Sequence, residues 1–243
     1  MRALVLSLAS VVFMASPALS ARERPAVPSP RTVDYEWMSV ATWREKHETN
    51  VARATRGDAD ILLLGDSITE GWANTTLWQE RFPTLKVANF GIGGDTTSNL
   101  LWRLENGEMG NLKPRLIVLL IGVNNLGRNG DAPAKVVEGI QAIVSTLHSR
   151  MPAARIAIVG VLPADEQPKS KMRKRIAETN RRLARNLHDG HSIFVIDAGK
   201  SLLEQDGSIS SATMADFLHP TPAGYQRLAD ELFPQIVRIL AGR

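Results

Sequence analysis

With 243 residues, 44% of them apolar and 22% charged, the chain can bury one sizeable core and has the composition of an ordinary globular protein. It has no cysteine, which excludes disulfides, a thiol nucleophile and thiolate metal sites. A formal charge of +4 is too mild to point to nucleic acid without a concentrated patch.

The chain opens with Arg2, a mostly apolar stretch from Leu4 to Met14 and the small-residue end Ala18-Leu19-Ser20. That pattern reads as a signal peptide over residues 1–20 and predicts an exported protein, periplasmic or secreted; a buried N-terminal helix or an uncleaved anchor are the other readings. Residues 21–34 hold three prolines and no apolar periodicity, so an extended tail or linker is expected there. Residues 35–243 read as one domain, with no run long enough to cross a bilayer.

Five short runs rich in Val, Ile and Leu follow: Ile61–Leu64, Val87–Phe90, Leu116–Ile121, Ile156–Val161 and Ile193–Ile196. Continuous apolar runs of this length suit strands covered on both faces. Amphipathic stretches alternate with them. Val136, Val137, Ile140, Ile143, Val144 and Leu147 share one helical face, with Asp131 as the expected N-cap and Pro133 in the first turn. Met172, Ile176, Leu183 and Leu187 form a second stripe. Tyr225, Leu228, Leu232, Ile236 and Ile239 form the last, begun by Thr221 and Pro222. Strands alternating with helices predict an α/β protein with a five-stranded parallel sheet between two helical layers. In such sheets ligands sit at the carboxyl ends of the strands, and that is where the chemically able residues fall.

The first run ends in Gly65-Asp66-Ser67-Ile68-Thr69. A serine there faces the cleft at the sheet edge, and it equally suits a helix N-cap. Thr69 replaces the second glycine of a Gly-x-Ser-x-Gly elbow. After the second run, Gly91-Ile92-Gly93-Gly94 lets backbone N–H groups approach a ligand. It lacks the residues of a phosphate loop, so an oxyanion donor is the better use. The third run leads into Asn124-Asn125, amides that either make a turn or aim an N–H into the cleft. Near the C-terminus, Asp216 and His219 can meet on one turn, where the carboxylate would fix the imidazole tautomer.

Gly65-Asp66-Ser67, the turn ending at Gly94, Asn124 and Asp216-x-x-His219 resemble, in order, the four signature blocks of the SGNH (GDSL-type) hydrolases. The likeness runs from about residue 58 to the last helix. Asn89 to Asn106, then Lys113-Pro114 and the Asn-Asn pair, resemble in particular the catalytic subunits of intracellular platelet-activating-factor acetylhydrolases. The resemblance implies a flavodoxin-like fold. It implies Ser67 as nucleophile, His219 as general base and acid, Asp216 as orienter, and an oxyanion hole from the N–H groups of Ser67 and Gly94 with the Asn124 side chain. Val123 and Asn125 stand where many members have Thr and Asp, so the bonds behind Asn124 are expected to differ. Those acetylhydrolases are cytosolic whereas the leader predicts export, so platelet-activating factor is not the expected natural substrate.

The expected activity is therefore a serine esterase acting on small acyl groups, acetyl first, through an acyl-enzyme and with carbohydrate esters as candidate substrates. A lysophospholipase or thioesterase-type lipid hydrolase uses the same blocks, and a non-catalytic binder on the same fold is the rival class. No metal and no cofactor is required. The expected partner is the carbohydrate or lipid ester itself, with no nucleic acid, no integral membrane segment once the leader is removed, and a homodimer allowed for. Ser208 in Asp206-Gly207-Ser208 mimics the first block but follows no strand, and reads as a turn. Asp95 is expected to cap a helix, the other histidines to be surface or packing residues, and Trp72, Trp78 and Trp102 to pack in the core. The basic run Lys169 to Arg185 reads as the solvated face of its helix, or as an attraction to an anionic surface.

Overall fold

The computed structural model describes residues 24–242, so the expected leader lies outside the described residues. Five parallel strands form one sheet: β1 (Ile61–Gly65), β2 (Val87–Asn89), β3 (Leu116–Leu120), β4 (Arg155–Val159) and β5 (Ile193–Ile196). Their spatial order is β2-β1-β3-β4-β5. That is the flavodoxin-like order, with its reversal of direction between β1 and β3. Leu63 pairs with Asn89 on one side and Val118 on the other, so the ends of β1 and β3 lie side by side. Every residue of β1 and β3 is buried, as the apolar runs predict. The edge strands β2 and β5 are only partly covered, because each has one sheet neighbour and less helix above it.

The helices are α1 (Val40–Arg56), α2 (Ser67–Gly71), α3 (Leu77–Arg81), α4 (Thr97–Arg103), α5 (Val123–Gly127), α6 (Pro133–Arg150), α7 (Lys171–Leu187) and α8 (Pro222–Leu240). α4 packs on α6 and α6 on α7, while α3 packs on α8. All five stripe residues of α8 are buried. They meet an aromatic cluster in which Phe233 lies 4.7 Å from Trp78 and Tyr225 lies 4.7 Å from Trp72. Trp72 and Trp78 thus belong to the core, each contributing a large apolar burial. The last helix starts as read, with Thr221 accepting from Gly224 N and Pro222 in the first turn.

Two N-caps differ from expectation. Ala132 is the N-cap of α6 and offers no side-chain bond, because Asp131 is buried and its carboxylate accepts from Asn125 Nδ2 at 3.1 Å. α4 is capped by Thr96, which forms a reciprocal capping box with Asn99 and frees Asp95 for another role. Residues 24–34, part of the expected extended tail or linker, are described as well. They have no helix or strand, yet they lie on the domain. Pro25 O accepts from Thr97 Oγ1 at 2.8 Å, Ser29 O from Asn99 Nδ2 at 3.0 Å, and Arg31 is 1% exposed. Proline suits an irregular strap because it carries no backbone N–H that needs a partner.

Candidate active site

The residues singled out by sequence meet where the strand order reverses. β1 ends at Gly65, Asp66 caps α2 by accepting from Ile68 N at 3.0 Å, and Ser67 is the first helical residue. Ser67 Oγ lies 2.9 Å from His219 Nε2, and His219 Nδ1 lies 2.6 Å from Asp216 Oδ2. The other oxygen, Asp216 Oδ1, accepts from the N–H groups of Leu218 at 3.0 Å and His219 at 2.7 Å. Burial pushes the Asp216 pKa up, but the bonds from His219 and from the backbone outweigh it and hold the carboxylate below its ordinary value. The tight turn places Phe217 at φ 58°, which the Phe217 N–H to Met214 O and Asp165 N–H to Phe217 O bonds hold in place.

The three expected anion donors lie in the segments that follow β1, β2 and β3. The Ser67 and Gly94 N–H groups have no acceptor among the described residues. Asn124 Nδ2 donates one hydrogen to Asp95 O at 2.9 Å, and its second hydrogen remains for a ligand. Gly94 sits at φ +75°, and a Cβ there would lie 2.8 Å from Trp37 and 2.9 Å from Tyr35. A Cβ on Gly91 would lie 2.2 Å from Glu70 N, so this turn can lie against α2 only as glycine. The amides behind Asn124 are satisfied. Asn125 Oδ1 accepts from Thr97 N at 2.9 Å while its Nδ2 is held by Asp131.

The GDSL-like lipase/acylhydrolase family profile matches residues 63–227, from the end of β1 into α8. The chain belongs to this family. The human platelet-activating factor acetylhydrolase IB subunit alpha2 is 36% identical over 198 residues, covering 82% of this chain and 85% of its own. The human alpha1 subunit is 34% identical, with 92% and 94% covered. A GDSL-like lipase from Bacteroides thetaiotaomicron superposes with a TM-score of 0.63 at 22% identity, over 82% of this chain and 98% of that one. A catalytic mutant of an acetylxylan esterase from Geobacillus stearothermophilus gives 0.58 at 19%, over 73% and 94%. At those identities the two structures share the fold. The protein is a GDSL hydrolase acting on esters.

This GDSL site has supports that the sequence reading missed. Glu70 Oε2 accepts from Gly93 N at 2.8 Å and its other oxygen is ion-paired to Lys46. Asn89 bridges Thr69 O (2.7 Å) and Gly91 N (2.9 Å), tying the serine helix to the glycine turn. Tyr225 donates to Ile68 O at 2.8 Å, and its burial and the carboxylates of Asp66 and Glu70 raise its pKa.

Asp95 does not cap a helix. It is fully buried and accepts from Arg103 Nε at 2.7 Å, Trp43 Nε1 at 2.7 Å and Arg31 Nη2 at 3.2 Å. Arg103 also pairs with Glu108, which accepts from Asn50 and lies 3.0 Å from His47 Nδ1. Burial alone would lower the Arg103 pKa, but Glu108 and Asp95 raise it above the ordinary guanidinium value. Burial likewise pushes Glu108 up, yet Arg103 and His47 bring it below its ordinary value. For Asp95 burial wins over Arg103 and Arg31, and its pKa is pushed up to about 6. Arg31 reaches this network from the strap and donates to Gly93 O at 2.6 Å. A sequence signal did exist: Arg103 interrupts the apolar run Leu100, Leu101, Leu104, all of them buried.

The residues set aside also find places. Ser208 is held by Asp206 in a turn, both its N–H and its Oγ bonded to Asp206 Oδ1. Trp102 is half-buried, 5.5 Å from Trp43. In the basic run, Arg175 turns inward to Leu126 O at 2.7 Å and Arg181 and Arg182 pair with Glu178.

Proposed function

We propose that the protein is an exported serine esterase that removes small acyl groups, acetyl first, from carbohydrate esters through an acyl-enzyme on Ser67. The observation that carries this is the unbroken line Ser67 Oγ, His219, Asp216, set beside two unpartnered N–H groups and a half-used amide.

In this reading His219 Nε2 takes the Ser67 proton as Oγ bonds to the ester carbonyl carbon. Asp216 is a positioning residue. It holds Nδ1 as the protonated nitrogen, leaving Nε2 free to accept, and stabilises the imidazolium that forms. The carbonyl oxygen, now anionic, meets the N–H groups of Ser67 and Gly94 and the second hydrogen of Asn124 Nδ2. Ser67 N–H is also at a helix start, where donors lack intrahelical acceptors. The alcohol leaves with the proton from His219. Water then attacks the acyl carbon by the same route and restores Ser67.

Acetyl is favoured because the relatives are named acetylhydrolases and a structural neighbour is named an acetylxylan esterase. Export is favoured by the Arg2 start, the apolar stretch and the Ala18-Leu19-Ser20 end. The test is hydrolysis of p-nitrophenyl acetate, butyrate and octanoate by the chain from residue 21 and by Ser67→Ala. Turnover that falls with chain length and vanishes in Ser67→Ala is expected. Turnover retained in the variant rejects the nucleophile, and a preference for octanoate rejects the small-acyl reading in favour of a lipid hydrolase.

A further inference from the structure

The esterase reading leaves the alcohol half of the substrate unassigned, and the molecule carries an unused surface beside the glycine turn. Residues 31–38 cross that turn so that Tyr35 and Trp37 rest on Gly94. The two rings are 5.4 Å apart. Trp37 is 56% exposed, the most exposed of the large apolar side chains among the described residues. An aromatic face left open beside the glycine turn offers a stacking surface to a ligand. Arg128, one turn beyond Asn124, places its guanidinium 3.7 Å from the Tyr35 ring centre and 5.7 Å from that of Trp37. No carboxylate pairs with it among the described residues. Beyond Arg128 opens a cleft of about 550 Å³ lined by Asn124, Lys171, Met172, Asp216 and Leu218.

The charge around this surface selects among ligands. Asp216 is engaged by His219, and Arg175 is spent on the carbonyls of Leu126 and Asp131. Arg128 and Lys171 remain, with Asp165 opposing them. Aromatic faces attract cationic head groups, but guanidiniums already lie on the Tyr35 ring, Arg31 at 4.4 Å and Arg128 at 3.7 Å. A third cation there is repelled. An indole face equally accepts the apolar C–H face of a sugar ring. A planar guanidinium beside it matches a carboxylate with two parallel hydrogen bonds.

We propose that Trp37 and Arg128 form the subsite for the alcohol moiety, and that this moiety is a pyranose bearing a carboxylate, an acylated uronic acid. The inference rests on the esterase reading. One sugar ring on Trp37 brings its exocyclic carboxylate within reach of Arg128, while its acylated hydroxyl points toward Ser67. Trp37 and Arg128 are then specificity residues, and they act on KM more than on kcat.

The test compares kcat/KM on three acetyl esters: a mono-acetylated methyl glucuronide, its neutral glucoside counterpart and p-nitrophenyl acetate. The wild type is expected to favour the glucuronide over the glucoside about tenfold through KM, the size of one charge-assisted hydrogen bond. Arg128→Gln should erase that preference. Trp37→Ala should lower both sugar esters relative to p-nitrophenyl acetate, and Trp37→Phe should restore most of the loss. Equal rates on the two sugars in the wild type, or a preference intact in Arg128→Gln, overturns the subsite. Trp37→Ala losing all three esters in the same proportion overturns the platform and makes Trp37 a prop of the turn. A wild type inert on all three, p-nitrophenyl acetate included, defeats the esterase reading itself.

Discussion

At the scale of single residues, Asn124 separates orientation from catalysis most cleanly. Its Nδ2 donates to Asp95 O, which orients the amide before any substrate arrives. Asn124→Ala removes one of three proposed oxyanion donors and should lower kcat on the order of a hundredfold, with KM little altered. Steady-state kinetics on p-nitrophenyl acetate check this, and a loss confined to KM would mean that Asn124 only binds substrate. The meeting of Ser67, Asp216 and His219 was legible in the sequence because each stands in a compact motif directly after an apolar run or within one turn. Asp95 was not. Its neighbours in sequence suggest a cap, whereas its partners Arg31, Trp43 and Arg103 lie at sequence separations of 64, 52 and 8 with no periodic signal.

At the scale of elements, the strands were legible and the supports between them were not. Continuous Val, Ile and Leu runs have one physical explanation when helices alternate with them, so β1, β3 and β4 follow almost directly. The cap of α6 and the packing of the strap depend instead on polar contacts made across the fold. The buried network joining α1, the glycine turn and α4 is the clearest case. It holds two guanidiniums and two carboxylates at full burial, and its cost is offset only while every member is paired. Arg103→Met leaves Asp95 and Glu108 without their main partner and should destabilise the protein by about 3–5 kcal/mol. Urea unfolding measures this. A loss below about 1 kcal/mol would show that Arg31 and His47 suffice to hold the two carboxylates.

For the whole molecule, the site and the stability share buried acids. Asp66 is fully buried next to Asp95. Desolvation outweighs its bond from Ile68 N and pushes its pKa from 3.8 up to about 7. A carboxyl with a folded pKa raised in this way favours the fold while protonated. Its contribution is present below about 4 and is lost as pH rises through about 7, with Asp95 acting in the same direction at about 6. Glu108 and Asp216, whose pKa values are lowered, act oppositely and weaken the fold as pH falls below the carboxylate range. The melting temperature should therefore peak at mildly acidic pH and decline toward pH 8. Asp66→Asn keeps the α2 cap and should flatten the decline. A wild-type melting temperature that rises from pH 5 to 8, or an unchanged slope in Asp66→Asn, would rule out the buried acids as its cause.

In the proposed reaction one serine, at the carboxyl end of β1, carries the acyl group. Labelling with a fluorophosphonate, followed by peptide mapping, addresses it directly, because such reagents bond only to a serine activated by a base and an oxyanion site. One adduct per chain is expected, on Ser67, rising in step with the loss of p-nitrophenyl acetate hydrolysis and absent from the Ser67→Ala protein. An adduct on another residue, or full hydrolysis by a chain labelled at Ser67, would contradict it.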